Sequence, residues 1–306
     1  MDKNGKLTLN PCKTSTNLIF YLKSGVGNFD IELVIELCKN RAPKQPSLRY
    51  SMELTFTIDS WCAWSSDRGD WRSDFDPDCI EIAKPNYSTI PAMKRRRMSD
   101  LSKIAISTAL DCQSKNASSI SVKPVCIFVS RHGELVRSMK IIDSMINGDD
   151  VSPTDFSMSV HNTALGLFSI LTQNREKATS IVAGEDSFGY GLLEACMLIA
   201  ERPDKKALLV YFDEPLPKTL SQFEHCEKKT ICISLLISVA KEGLPSYSVD
   251  TSKTKESKSE LNQFQELNER TSDFGEMFLD FHRSETSSLK IKSLSKNSPI
   301  WNFSRK

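Results

Sequence analysis

A layered α/β fold is what this chain predicts, on three observations. The runs Lys123–Ser130, Lys205–Asp213 and Thr230–Ala240 are dense in apolar residues, as strands covered on both faces are. Stretches with apolar residues at helical spacing lie among them. Polar or glycine-containing knots stand where strands meet helices. The element order is strand, helix, strand, helices, strand, helix, strand, strand, or βαβαβαββ.

Residues 1–51 stand outside that pattern. Asn17–Leu22 is apolar, Ser24–Asn28 is a turn, and Phe29–Asn40 has the spacing of one amphipathic helix with Ile31, Leu33, Val34, Ile35, Leu37 and Cys38 inside. Arg41–Pro46 reads as a linker. Met52 directly precedes the first core strand, so we expect it to be the natural start and 1–51 an upstream extension.

Met52–Trp61 is the first core strand, with Leu54, Phe56 and Ile58 alternating. Trp61, Trp64 and Trp71 follow in a loop rich in Asp and Arg, and read as an interface or lid packed on the core in preference to a ligand groove. The run Lys94, Arg95, Arg96 and Arg97 opens a helix whose buried side is Met98, Leu101, Ile104, Ala105 and Leu110. Four cations at a helix N-terminus oppose its dipole, so either solvent carries them or an acidic partner compensates them.

The strand Lys123–Ser130 ends in Arg131-His132-Gly133-Glu134, and a helix from Glu134 to Asn147 follows. Phe156–Val160 is expected to be a short extended run meeting His161-Asn162-Thr163, which opens a helix with Ala164, Leu167, Phe168 and Leu171 inside. Ala178–Gly184 is a further strand and Ser187–Ala200 a further helix, with Ser187 as its N-cap and Asp186 near its positive end. Asp213-Glu-Pro-Leu-Pro217 is a rigid turn. Beyond the core domain 52–245, Ser246–Glu260 is expected to be a flexible linker. Leu261–His282 is then a helix with Leu267, Phe274, Phe278 and Phe281 buried, and Leu289–Leu294 with Pro299–Phe303 forms a short hairpin. This tail is expected to pack on the domain or its partner.

Composition excludes several function classes. A net charge of +1 and a basic run without interleaved aromatic residues speak against nucleic-acid binding. Nine cysteines without a C-x-x-C pair read as scattered reduced thiols. His225, Cys226 and Cys232 supply too few ligands for a metal site, and no cofactor is expected. No apolar run is long enough to cross a bilayer and no cleavable signal is evident, so the expected location is cytoplasmic.

Chemistry in such folds collects where strands end and helix N-termini begin. His132 invites a reading as general base oriented by Glu134; the better-supported reading is that the pair fixes the loop by hydrogen bonds, because no nucleophile is identifiable. His161 reads as a helix cap or a bond across a subunit boundary. The stretch around Ser187 has one residue too many for a G-x-S-x-G elbow and lacks the G-x-G-x-x-G spacing.

The pattern Thr163-Ala-Leu-Gly166-Leu167, with Val182-Ala183-Gly184-Glu185 at a strand end, resembles the nucleophile region of β-ketoacyl synthases, members of the thiolase superfamily. Ser130-Arg-His-Gly-Glu134, Pro153-Thr-Asp-Phe156, Ser159-Val-His-Asn162 and Ala183-Gly-Glu-Asp-Ser-Phe188 together are similar to the chain-length-factor subunits of bacterial aryl polyene clusters. The resemblance covers roughly Met52 to Ala240. It implies a thiolase-like fold reduced to one half, since the chain after Pro245 is too short for the second half that carries the family's remaining catalytic residues. It places Thr163, or a neighbour such as His161 or Asn162, at the family's Cys position, so no catalytic residue is assigned. It implies a non-catalytic subunit that pairs with a ketosynthase and shapes its tunnel in polyene elongation on an acidic acyl carrier protein. Leu167, Phe168 and Leu171, with His132, Glu134, His161, Asn162 and Thr163, are then candidates for tunnel or interface, and Lys94, Arg95, Arg96 and Arg97 for the carrier protein. The alternative is a stand-alone acyltransferase or thioester hydrolase using His132 with Ser187 or Thr163.

Overall fold

A single mixed sheet organises the chain. The computed structural model describes residues 54–67, 69–70, 87–115, 123–224, 228–252, 273–292 and 299–306. The N-terminal segment, Met52, Trp71, His225 and Cys226 lie outside the described residues. In chain order the elements are β1 (Leu54–Ser65), β2 (Gly69–Asp70), α1 (Ala92–Arg95), α2 (Asp100–Ser114), β3 (Val125–Val129), α3 (Leu135–Asn147), α4 (Pro153–Ser157), α5 (Thr163–Thr172), β4 (Ala178–Ile181), α6 (Ser187–Glu201), β5 (Ala207–Asp213), β6 (Ile231–Val239), β7 (Tyr247–Ser252), α7 (Phe274–Arg283), β8 (Ser288–Lys292) and β9 (Ile300–Arg305).

The strand order is β4-β3-β5-β6-β1-β7-β9-β8, with β2 paired to β1. Strands β4, β3 and β5 run parallel, as crossover helices require, and β6 lies antiparallel to both β5 and β1. Every residue of β3 and β5 is buried, because helices cover both faces. One face packs α2 and α5 around Leu101, Ile104, Phe128, Phe168 and Phe212. The other packs α6 and α7 around Phe188, Leu192, Phe278 and Trp301.

Several expectations are corrected. Phe156–Val160 is not extended: Ser152 accepts from the Asp155 amide at 3.3 Å and Pro153 opens α4, so Ser-Pro-x-Asp starts a helical turn. The tryptophans Trp61 and Trp64 lie on β1, which runs four residues past the expected end, and not in a loop. The basic run does not open the long helix. Lys94 and Arg95 occupy the last turn of α1, where cations suit the dipole, and α2 starts separately with Ser99 accepting from the Ser102 amide at 2.9 Å. Ser187 lies inside α6, and its hydroxyl does not cap the helix. The expected linker contains β7, which fills the sheet between β1 and β9. The expected helix Leu261–His282 is described from Phe274 onward, with Asp273 as its cap accepting from the Gly275 amide at 2.9 Å. Its stripe of Phe274, Phe278 and Phe281 is buried, while Leu267 lies outside the described residues. The hairpin is present as β8 and β9.

Candidate functional site

The C-terminal ends of β3 and β5 meet the N-termini of α5 and α6 at one place, and the named side chains are distributed around it. Directly after β3, Ser130 takes the Gly133 amide on its hydroxyl at 2.8 Å, closing the turn. Gly133 has φ +55°, and a Cβ there would meet His161 Cδ2 at 2.9 Å, so only glycine lets the two loops touch. His161 completes the contact: its Nε2 lies 2.9 Å from the Ser130 carbonyl and donates to it. His161 therefore ties the α5 entry to the β3 exit.

Glu134 is turned away from His132. Its buried carboxylate accepts from Ser99 at 2.7 Å and Ser102 at 2.5 Å, and lies 3.6 Å from Arg137. That pairing fastens the loop to α2, so Glu134 does not orient His132 as a base. His132 is exposed. Partial shielding of its ring from water, then the Arg131 guanidinium, hold its imidazole below the usual histidine range even though the side chain reaches solvent, favouring the neutral ring.

Arg131, which sequence reasoning left without a role, is the centre of the buried charge. It pairs with Asp213 through Nε, with Glu185 at 2.9 Å and with Glu224 at 3.3 Å. Lys228 reaches Glu185 at 3.2 Å. Burial pushes the Asp213 carboxyl up to about 6 even against the pull of Arg131. Burying so many charges is tolerable only because each is paired and hydrogen-bonded. The cluster joins the ends of β3 and β5 to the head of α6 and so sets the geometry of the turn.

Neither candidate hydroxyl is presented for attack. Thr163 is buried and its Oγ1 donates to the Met158 carbonyl at 3.1 Å. Ser187 is buried, donates to the Gly184 carbonyl at 2.7 Å and accepts from the Ala183 amide at 2.9 Å. Asn162 is exposed at the start of α5 and makes no side-chain cap. The stand-alone acyltransferase or hydrolase reading thus finds no hydrogen-bonded pair of His132 with Ser187 or Thr163 among the described residues. All five described cysteines are buried. Cys196 packs with α6 and α7 across the sheet from α5, and Cys126 touches Asn174 beyond the far end of α5. Neither reaches the turn. Cys232, once weighed as a metal ligand, is buried inside β6.

Along α5, Phe168 is fully buried against Phe128, their rings 5.4 Å apart, whereas Leu167 and Leu171 are half-buried. Phe168 packs in the core of this chain. Sequence reasoning missed what surrounds them. Ile170 is 65 % exposed, Phe156 67 %, Val160 51 % and Val182 59 %. Nearby α3 buries no residue and exposes Ile142, Met145 and Ile146, spaced as one stripe. The signal was available in that helical spacing. Patches of this kind mark interaction surfaces. Arg96 and Arg97 are exposed, while Arg95 is anchored on the Tyr87 carbonyl at 2.8 Å.

The family model for the β-ketoacyl synthase N-terminal domain matches residues 61–303. The chain belongs to this family. Among solved structures, this β-ketoacyl synthase-family chain is similar to one from a ketosynthase in complex with its chain length factor from Xenorhabdus doucetiae, at 24 % identity and TM-score 0.64, covering 82 % of this chain and 100 % of that one. It is also similar to the ishigamide ketosynthase/chain length factor, at 16 % identity and TM-score 0.51, over 65 % and 67 % of the two chains. A third likeness is to a type II polyketide synthase acyl-carrier protein in complex with its ketosynthase, at 10 % identity and TM-score 0.56, over 83 % and 99 %. At these identities the likeness is one of fold, and it is the thiolase-like ketosynthase fold. No curated protein matches the chain. No described helix is long and apolar enough to cross a membrane.

Proposed function

We propose that the chain is the chain-length-factor subunit of a ketosynthase pair acting in aryl polyene elongation on an acyl carrier protein, without carrying out the acyl transfer itself. The observation that carries this reading is Thr163. On the resemblance, it or its neighbour His161 or Asn162 stands where the family pattern has its nucleophilic Cys, and the Thr163 hydroxyl is spent on the Met158 carbonyl. A threonine so held has neither the thiolate nor an adjacent base that covalent acyl transfer needs. The exposed apolar residues Val160 before α5, Ile170 on it and Val182 after β4 fit a face that a ketosynthase covers. Leu167 and Leu171, half-buried on α5, would then border the partner's tunnel, with His132, His161 and Asn162 at its rim. Lys94, Arg96 and Arg97 suit an acidic carrier protein. The reading makes the domain division 52–245 and 246–306 a single working unit, with 1–51 outside it.

The test is co-expression with a ketosynthase of an aryl polyene system from the same source. Ile170→Glu and Val182→Glu should abolish co-purification while leaving the chain's own Tm within a few degrees, because both residues face outward. With the pair intact, Leu167→Ala and Leu171→Ala should shift the length distribution of the polyene product. Thioester turnover by the lone chain, or unchanged co-purification and product length across these variants, overturns the proposal.

A further inference from the structure

Two thiols lie together where α2 packs on β1 and β6. Cys62 stands opposite Ser234 in the β1–β6 register, on the face that α2 covers. Cys112, near the end of α2, places its Sγ 3.4 Å from the Ser234 carbonyl and 3.5 Å from that of Ser60. The Ser60 hydroxyl lies 3.6 Å from the same sulfur and donates to the Cys112 carbonyl at 2.8 Å. Ser60 and Cys62 are two apart on one strand and project to one face. The Cys112 sulfur is thus fixed over the Cys62–Ser234 pair. A cation is fixed beside them, for Lys115 Nζ lies 3.3 Å from the Trp61 carbonyl and 5.9 Å from the centre of the Trp61 ring.

The electrostatics separate the two sulfurs. A hydrogen bond from Cys112, ahead of all other influences, holds the Cys62 thiol below its ordinary value, and Lys115 adds to this against burial. Burial pushes Cys112 up. The remaining described cysteines have no such setting: burial pushes Cys126 and Cys232 up to about 12, and raises Cys196 within an apolar core. A more acidic thiol beside a cation, with a second thiol in reach, is the arrangement that oxidises and then resolves.

We propose that Cys62 and Cys112 are a redox modification site, forming a reversible disulfide with hydrogen peroxide that staples the end of α2 to β1. The Cys62 thiolate attacks one peroxide oxygen, the O–O bond breaks and hydroxide leaves, so the sulfur is oxidised to a sulfenic acid and the peroxide reduced. Cys112 then gives up its proton and attacks that sulfur; the S–O bond breaks, the S–S bond forms and the oxygen departs as water. Two thiols and one peroxide yield one disulfide and two waters, and a dithiol reductant reverses the change.

The test treats the full chain with hydrogen peroxide, blocks residual thiols and maps peptides by mass spectrometry. The expected result is a cross-link joining the peptides of Cys62 and Cys112, about 2 Da lighter than the paired thiols and lost on reduction. The oxidised chain should also melt higher than the reduced one. Cys62→Ala should abolish the cross-link, and Cys112→Ala should leave a sulfenic acid at Cys62 that dimedone captures. A wild-type map in which Cys62 stays reduced, or pairs with another cysteine, overturns the proposal, and that map decides even if a variant folds poorly.

Discussion

Glu214 enters the site's charge cluster on the side where it is least welcome. Burial pushes its carboxyl up to about 7, and Glu134, Asp213 and Asp100 add repulsion. As pH falls through about 7, folded Glu214 takes up a proton that the unfolded chain, with a carboxyl near ~4.3, does not yet bind. Its ionised form therefore costs stability above that pH, and the cost is relieved on acidification. Glu214→Gln should be more stable than the parent at pH 8, with the gap closing toward pH 5, measured as Tm across that range; a pH-independent gap counts against it. His282 runs the other way. Burial, then Arg305 and Arg283, push its imidazole down to about 4. The unfolded chain protonates near ~6.5, so stability that His282 contributes at neutral pH is lost as pH falls from there toward 4. Little of this was legible in the sequence. Arg131 was visible inside its motif, but Glu185, Asp213 and Glu224 lie 54, 82 and 93 positions away, and pairing over such separations leaves no local signature. His161 was legible as a helix-entry residue, but its bond to the Ser130 carbonyl spans 31 positions and needed the fold to form. Glu134 was seen as a loop-fixing group, while its partners Ser99 and Ser102 needed the fold to bring α2 alongside.

Helix α6 shows how an element's register depends on a missing side chain. Gly191 faces β3, and a Cβ there would lie 2.4 Å from Val129 Cγ2 and 3.1 Å from Leu209 Cδ1. Both neighbours are fully buried and β-branched or packed, so they cannot swing clear. Gly191→Ala gains about 1 kcal/mol of helix propensity but overpacks the interface by about 1–3 kcal/mol. The net effect expected is destabilisation, read in urea as a lower midpoint with unchanged m-value; a stabilised variant would mean that α6 slides freely on the sheet. Elements like α6 were readable because the sequence carries both their period and their ends. The strands β3, β5 and β6 were readable as apolar runs. The misses have physical causes. Helix α4 is a single capped turn, too short for periodicity to show, so Ser152 and Pro153 were its only signs. Strand β7, Tyr-Ser-Val-Asp-Thr-Ser, looks polar because its apolar residues are only Tyr247 and Val249, which alternate onto one face, while Ser248 between them is buried on the other.

At the scale of the molecule, the tail that was expected to pack on the domain is built into its sheet. Strands β7, β9 and β8 widen the sheet beyond β1, and α7 lies on the same face as α6. Trp301 on β9 joins them: it is fully buried, its Nε1 donates to Asp186 at 2.9 Å, and its ring packs 5.0 Å from Tyr190 and 5.6 Å from Phe274. Gly189 makes room for it, since a Cβ there would meet the indole at 2.7 Å. The head of α6, which stands at the candidate site, is thus held by a residue near the chain's end. If that is so, the tail and the core form one cooperative unit. Trp301→Phe keeps most of the packing and removes the donor to Asp186, which should cost about 1–3 kcal/mol. Trp301→Ala should cost about 3–5 kcal/mol, roughly 10 °C in Tm for a domain of this size. In both variants, unfolding followed by far-UV circular dichroism and by tryptophan fluorescence should give coincident transitions. Two separated transitions, or an alanine variant as stable as the phenylalanine one, would show that the tail rests on the sheet without holding α6, and that the head of α6 is positioned by the Arg131 cluster alone.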